Sequence, residues 1–329
     1  MSDRIQNKAG RLSALSHLLY RNPNGMTVSE LAEICHVTKR TIQRDLRTFE
    51  STMGVPLTAM GDPPRYSIIK GGYLPPIRLS LDDAIALYLA GRLLARQADA
   101  YSQPVLTALS KLAQILPESI SGHVHDTIRE MAQQAQGRDL APILTTLADG
   151  WASRREVEIR YQSIGSQNVH GYRLRPYFIE ASGESRGFYV IGWASWFNKV
   201  NTFRIERILE ARLTSTPFEI PEEFSGPELL RSAWGVMYGG PEETVELRFA
   251  AAASRRVQET VWHPSQVLSC TPDGGCTLQV RVTNPIEMLP WIQSWGPQVE
   301  VLAPLYLRET LRASAARLAA LYGEGPQGA

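Results

Sequence analysis

Between Thr38 and Met53 the sequence sorts its side chains by chemistry onto two opposed faces of a helix. At about 100° per residue, Ile42, Leu46 and Phe49 fall on one side, and Arg40, Arg44 and Arg47 fall on the other, flanked by Thr41 and Gln43. One face has to pack against apolar partners, while the other has to remain in water or meet an anion. Arginine can bind guanine bidentately and glutamine can bind adenine in the same way, so the outer face suits DNA base edges. A basic face alone is equally consistent with a solvated surface, so the flanking elements have to decide.

A first helix is expected over residues 5–21, with Leu12, Leu15, Leu18 and Leu19 at helical spacing and Asn22-Pro23-Asn24-Gly25 as its stop. Thr27-Val28-Ser29-Glu30 has the form of a capping box, and Leu31, Ala32 and Ile34 follow as an apolar stripe. His36-Val37-Thr38 breaks this short helix before the segregated one, which Gly54 and Pro56 end. Two strand-like runs, 56–60 and 65–69, then flank a Gly61-Asp62-Pro63-Pro64 turn. That hairpin would lay Arg65 or Lys70 against a DNA backbone. Charge points the same way: residues 1–72 carry ten Lys and Arg against six Asp and Glu, whereas the whole chain is only +1.

The order of these elements and the run Thr38-Lys39-Arg40-Thr41-Ile42-Gln43-Arg44-Asp45-Leu46-Arg47 resemble the DeoR-type winged helix-turn-helix regulators. The run Arg65-Tyr66-Ser67-Ile68 resembles their second wing strand. The resemblance implies double-stranded operator DNA as a partner, contacted by Thr38, Lys39, Arg40, Thr41, Gln43, Arg44, Arg47 and Arg65.

Beyond Gly71-Gly72-Tyr73-Leu74-Pro75-Pro76, a linker by composition, three amphipathic helices are expected as a connector: 80–97, 103–116 and 118–135. A further helix, 141–153, precedes a change from helical to alternating periodicity in Glu156-Val157-Glu158-Ile159-Arg160-Tyr161, and strand-like runs recur at 172–180, 187–193 and 201–209. Within 172–207 there are six Lys and Arg against three Asp and Glu. Arg173 and Arg175 share a strand face, whereas Arg204 and Arg207 fall on opposite faces unless a bulge intervenes. Arginines turned inward require an anion. Glu180 or Glu206 would supply one internally, and an incoming phosphate would supply it otherwise, with Tyr161, Tyr189 or Trp193 placed to stack on a base.

The blocks Tyr172-Arg173-Leu174-Arg175-Pro176, Gly187-Phe188-Tyr189-Val190-Ile191-Gly192-Trp193 and Thr202-Phe203-Arg204-Ile205-Glu206-Arg207-Ile208 resemble the signature blocks of WYL domains, with Phe188-Tyr189-Val190 where Trp-Tyr-Leu is usual. That family implies a small, bent Sm/SH3-like sheet that senses a ligand, often of nucleic-acid or nucleotide character. The matching positions would make Tyr161, Arg173, Arg175, Tyr189, Trp193, Arg204 and Arg207 effector contacts. Past Pro221-Glu222-Glu223-Phe224, an alternation of strands and helices predicts a small α+β sandwich. Its Trp291-Ile292 and Trp295-Gly296-Pro297 stretch, with 299–304 after it, resembles the WCX extension that often follows WYL domains and often carries self-association.

The chain is therefore expected to be an α+β multidomain protein. Residues 1–72 form a winged helix-turn-helix, 73–140 a helical connector, 141–217 an Sm/SH3-like WYL domain, and 218–329 a WCX extension that dimerises. The expected protein is a homodimeric regulator whose favoured effector is single-stranded DNA or another phosphorylated fragment, with a small metabolite as the alternative and an RNA polymerase contact if it activates. There is no P-loop, no G-x-S-x-G and no H-E-x-x-H, and the six histidines are scattered, so no enzyme, cofactor or metal is expected. A nucleotide-processing enzyme tethered to the DNA-binding module is the competing class. The opening Met1-Ser2-Asp3-Arg4 is unlike a signal peptide and no run suits a membrane span, so a cytoplasmic chain is expected, with Cys35, Cys270 and Cys276 as reduced thiols.

Overall fold

Asn7 accepts the Gly10 amide at 2.7 Å and caps helix α1, Lys8–Arg21, while residues 5 and 6 of the expected helix lie outside the described residues. The structure is a computed structural model and describes residues 7–22, 24–68, 75, 77–97, 103–133, 138–182 and 187–323. The expected wing contact Lys70 and most of the 71–76 linker lie outside the described residues. The chain divides into two compact units, Met1–Ile85 and Ala86–Ala329.

In the first unit, strand β1 (Met26–Thr27) leads into α2 (Val28–Ile34), and α3 (Lys39–Ser51) follows. The Thr27–Glu30 capping box is complete: the Glu30 amide donates to Thr27 Oγ1 and the Thr27 amide donates to Glu30 Oε2. The bond from the Thr27 amide is the largest cause holding the Glu30 carboxyl below its ordinary range. The turn between α2 and α3 is made by His36 at a φ of 53°, a left-handed conformation uncommon outside glycine and asparagine. Strands β2 (Leu57–Met60) and β3 (Arg65–Ile68) form the wing, and β1 pairs on the far side of β3, giving the order β1-β3-β2. The two-residue β1 is too short to show alternation, and the sequence did not disclose it. Leu15, Leu19, Leu31, Ile42, Leu46 and Phe49 meet in one core. Ile34, expected in that core, is instead exposed at the end of α2.

Helix α4 (Leu81–Gln97) opens on a second reciprocal cap, with Asp83 accepting from the amide and hydroxyl of Ser80. In the second unit α5 (Gln103–Ala113) and α6 (Glu118–Gln133) pack together, and Thr127 of α6 receives Arg92 Nη1 of α4 at 2.6 Å. Helix α7 (Ala141–Ser153) then precedes five antiparallel strands: β4 (Arg155–Gln162), β5 (Val169–Ser182), β6 (Gly187–Ala194), β7 (Lys199–Arg204) and β8 (Ile208–Pro217). Their order is β7-β6-β5-β4-β8, with register shifts in β4 and β5 that bend the sheet. Val157, Ile159, Leu174, Val190, Phe203 and Ile205 fill its concave core against Ile143 and Leu147 of α7. At Gly192 an added Cβ would lie 2.0 Å from the Arg175 carbonyl oxygen, so this cross-strand approach requires glycine. Residues 201–209, expected as a single strand, are broken by a turn of 3₁₀ helix at Ile205–Arg207.

After the short α8 (Gly226–Leu230) come β9 (Glu243–Phe249), α9 (Ala251–Gln258), β10 (Val267–Cys270), β11 (Cys276–Val282), α10 (Leu289–Ser294), β12 (Val299–Ala303) and α11 (Leu305–Gly323). The βαββαβ order and the sheet order β10-β11-β9-β12 make a ferredoxin-like layer pair. One sheet face is apolar and packs on Trp291, Trp295 and Met288, while the other is polar and exposed.

His263 lies in that core, 4% exposed and stacked on Trp234. Its Nδ1 accepts the Ser265 amide at 3.2 Å and lies 2.7 Å from the Ser265 hydroxyl. Burial, the largest cause, pushes the imidazolium below its ordinary pKa. The neutral form is therefore the folded one, so stability is full above about pH 6.5 and falls as pH drops toward the depressed folded value. Urea unfolding of the second unit between pH 8 and pH 5 is expected to show this loss, with a slope of at most about 1.4 kcal/mol per pH unit. His263→Asn, which keeps an acceptor near the Ser265 amide, flattens the slope. An unchanged slope in that variant would assign the effect to another group.

Candidate nucleic-acid interface and effector face

Thr38 caps α3, its Oγ1 accepting the Thr41 amide at 3.3 Å and lying 2.9 Å from Thr41 Oγ1. From that fixed start, Ile42, Leu46 and Phe49 are buried, while Thr38, Lys39, Arg40, Gln43, Arg44 and Arg47 are exposed and Thr41 is half-buried. The structure thus leaves six of the eight expected DNA contacts exposed at the cap and on the outer side of α3, with Thr41 half-buried near its start. Arg65 is placed differently. Its Nε donates to the Gly25 carbonyl at 3.1 Å and its Nη1 pairs with Glu30 at 3.3 Å, tying the wing to the start of α2.

Beneath α3 lies a pair that the sequence reading did not single out. Arg11 of α1 and Asp45 of α3 form an ion pair at 2.5 Å with almost no exposure of either side chain. It links α1 to α3 from within their packed faces. Each residue sits within its helix's apolar stripe, and two opposite charges in facing stripes are the signal that could have found it.

On the sheet of the second unit, cross-strand register separates the expected effector contacts into two groups. Arg175 stands opposite Trp193, and Arg204 opposite Tyr189, which in turn faces Glu180. Together with Arg173 these residues lie on the face opposite the core. Tyr161 does not join them. It is 8% exposed on the core side, with its ring 5.1 Å edge-on from Phe203 and 6.4 Å from Tyr172. Strand alternation causes this: Tyr161 shares parity with Val157 and Ile159. Arg207 is half-buried in the 3₁₀ turn, which uncouples its direction from that of Arg204.

Internal carboxylates already meet several of these arginines. Arg175 Nε donates to Glu156 at 2.8 Å, and its guanidinium lies 4.4 Å over the Trp193 ring. Glu156 is nearly fully buried, so the pair is held firmly. Arg204 pairs with Glu206 at 3.2 Å, and Glu206 also accepts the Phe188 amide at 2.8 Å. Glu158 is shared between Arg173, at 3.8 Å, and Arg212. Sequence reasoning proposed Glu206 as an internal anion, and the geometry agrees for Arg204, but Glu156 was not among the candidates. Among the described residues no carboxylate pairs with Arg207. Burial, the first cause, raises the Glu180 carboxyl above its ordinary range. Among the described residues, no group of three or more His, Cys, Asp or Glu is arranged to hold a metal ion, and no helix is long and apolar enough to cross a membrane.

Three domain families match the chain in the order the geometry suggests: an HTH domain over residues 11–61, a WYL domain over 142–213 and a WCX domain over 241–319. The chain is a three-module HTH, WYL and WCX protein. It is similar to the uncharacterized HTH-type transcriptional regulator YobV of Bacillus subtilis (strain 168), at 23% identity over 337 residues that take in 96% of this chain and 99% of the relative. Among solved structures, proteasome accessory factor B/C (PafBC) of Arthrobacter aurescens is similar over 98% of this chain, at 19% identity and a TM-score of 0.29. This chain spans about half, 48%, of that one's length. A CRISPR Cas-related protein matches 78% of this chain and 89% of its own length, at 10% identity and a TM-score of 0.41. At these scores the assignment rests on the three domain matches and on the sheet and helix geometry.

Proposed function

We propose that this protein is a DNA-binding transcription regulator that reads operator DNA through α3 and is controlled by an anionic effector at its WYL sheet. The observation that carries the reading is the outer surface of α3, where Arg40, Gln43, Arg44 and Arg47 stand exposed above a fully packed inner face. Such a helix, preceded by a capped short helix and followed by a wing, suits the major groove. The similarity to an HTH-type transcriptional regulator supports the same conclusion. The working form is a cytoplasmic homodimer on a two-fold operator, with half-sites about 34 Å apart, and the reading requires no catalytic step.

The favoured effector is single-stranded DNA or another phosphorylated nucleic-acid fragment. The stacked Arg175–Trp193 pair, Tyr189 beside Arg204, and Arg207, which meets no carboxylate among the described residues, support a ligand that offers both phosphate and a ring. An effector of this kind acts only if it binds the two functional states with different affinities. Calorimetry with short single-stranded oligonucleotides should show binding that Arg207→Ala weakens at least about tenfold, equivalent to about 1.4 kcal/mol, with the thermal midpoint unchanged. Absence of heat with oligonucleotides, together with binding of a small anionic metabolite, would transfer the site to the alternative ligand class.

A further inference from the structure

Cys270 and Cys276 stand directly opposite each other across the β10–β11 hairpin. They are joined by the five-residue connection Thr271-Pro272-Asp273-Gly274-Gly275. The hairpin closes with the Thr271 amide donating to the Gly275 carbonyl at 3.0 Å. Hydrogen-bonded and non-hydrogen-bonded pairs alternate along an antiparallel ladder, so the next pair, Cys270 and Cys276, is of the non-hydrogen-bonded kind. Such pairs bring their Cα atoms to about 4.5 Å, inside the range of about 4.4–6.8 Å that a disulfide requires. Opposed residues also project to the same face. Both thiols are free, with Cys270 exposed and Cys276 buried beside the Ser254 carbonyl.

The loop holds that geometry. Asp273 accepts from the Thr271 hydroxyl, from Arg248 and from the Gly275 amide. Gly275 packs so closely on the Phe249 carbonyl that a Cβ there would lie 2.4 Å away. We infer that Cys270 and Cys276 form a reversible cross-strand dithiol–disulfide site, in which Cys270 is the entry thiol and Cys276 the resolving thiol. The co-reactant is a low-molecular-weight disulfide. The Cys270 thiolate attacks one of its sulfurs, forming a mixed disulfide and releasing one small thiolate. Cys276 then loses its proton and attacks the Cys270 sulfur, forming the internal disulfide and releasing the second small thiolate. The two protons end on the two released thiols, so one small disulfide is reduced for each protein disulfide formed. A disulfide between directly opposed strand positions is strained and correspondingly easy to reduce again. Cys35, buried in the other unit, serves as an internal control.

The test uses the full chain in mixtures of oxidised and reduced glutathione, quenched in acid, alkylated and digested with trypsin. Peptide 257–281 contains both cysteines and no other. It is expected to lose two hydrogens in a fraction that rises with the oxidised share, with two of the three thiols lost and dithiothreitol reversing the change. Cys276→Ala is expected to accumulate glutathione on Cys270, and Cys270→Ser to leave Cys276 free. Stable glutathione on Cys270 of the unmodified chain with Cys276 still reduced would overturn the inference. So would a linkage that forms only in urea or only between chains. Because these outcomes are read on the unsubstituted protein, they stand even if Cys276→Ala fails to fold.

Discussion

Arg44→Ala and Arg47→Ala are each expected to weaken operator binding by about 1–3 kcal/mol, roughly fivefold to 150-fold, and to leave the fold intact. Both side chains stand in solvent above the buried Ile42–Leu46–Phe49 stripe, and among the described residues their guanidinium groups have no hydrogen-bond or ion-pair partner to lose. Their backbone carbonyls still accept from Thr48 and Ser51, as in the native helix. The two kinds of contact separate by salt. An arginine that meets phosphate contributes about 0.9 to the slope of log K against log salt, whereas one that reads guanine changes discrimination between sequences. Fluorescence anisotropy on a duplex selected from random sequence, repeated across salt concentrations, measures both. A charge-reversed Arg40, Arg44, Arg47 triple variant that still held duplex DNA with native affinity would remove the basis of the proposed function.

How much of this was legible in the sequence depends on whether a residue's partner was near it in the chain. The capping box at Thr27–Glu30, the cap at Ser80–Asp83 and the two faces of α3 are local relations, and they read directly from spacing. The alternation of Glu156 to Tyr161 fixed a strand, and the same alternation fixes Tyr161 on the core side once Val157 and Ile159 are buried. What spacing does not carry is which strand lies beside which. Glu156 was unassigned because its partner Arg175 is nineteen residues away, and pairing them requires the β4–β5 neighbourhood. The break at Ile205–Arg207 was also hidden, since isoleucines and arginines there fit a strand as well as a turn. On the proposed effector face, the sequence supplied the arginines and Glu206 as an internal anion, but only the fold showed that Glu156 and Glu158 engage Arg175 and Arg173.

The largest stability effect is expected at Arg11 and Asp45. Neither side chain reaches solvent, so removing one partner leaves a charge buried without its counter-ion, at a cost of about 3–5 kcal/mol. The first unit has a small core of about a dozen side chains, and net stabilities of domains this size are about 5 kcal/mol. Asp45→Ala is therefore expected to bring the winged helix close to unfolding at ambient temperature, whereas Ala86–Ala329 keeps its own transition in calorimetry. Replacing both residues by apolar groups of similar length, as in Arg11→Met with Asp45→Leu, is expected to recover most of the loss, because no orphaned charge remains. Recovery of stability need not bring recovery of function. Methionine and leucine pack without a fixed direction, whereas the ion pair links α3 to α1 through a directional contact. If the double variant regains its thermal transition yet binds the selected duplex with reduced discrimination, the pair sets the angle of the reading helix. If stability and discrimination return together, the pair acts through stability alone.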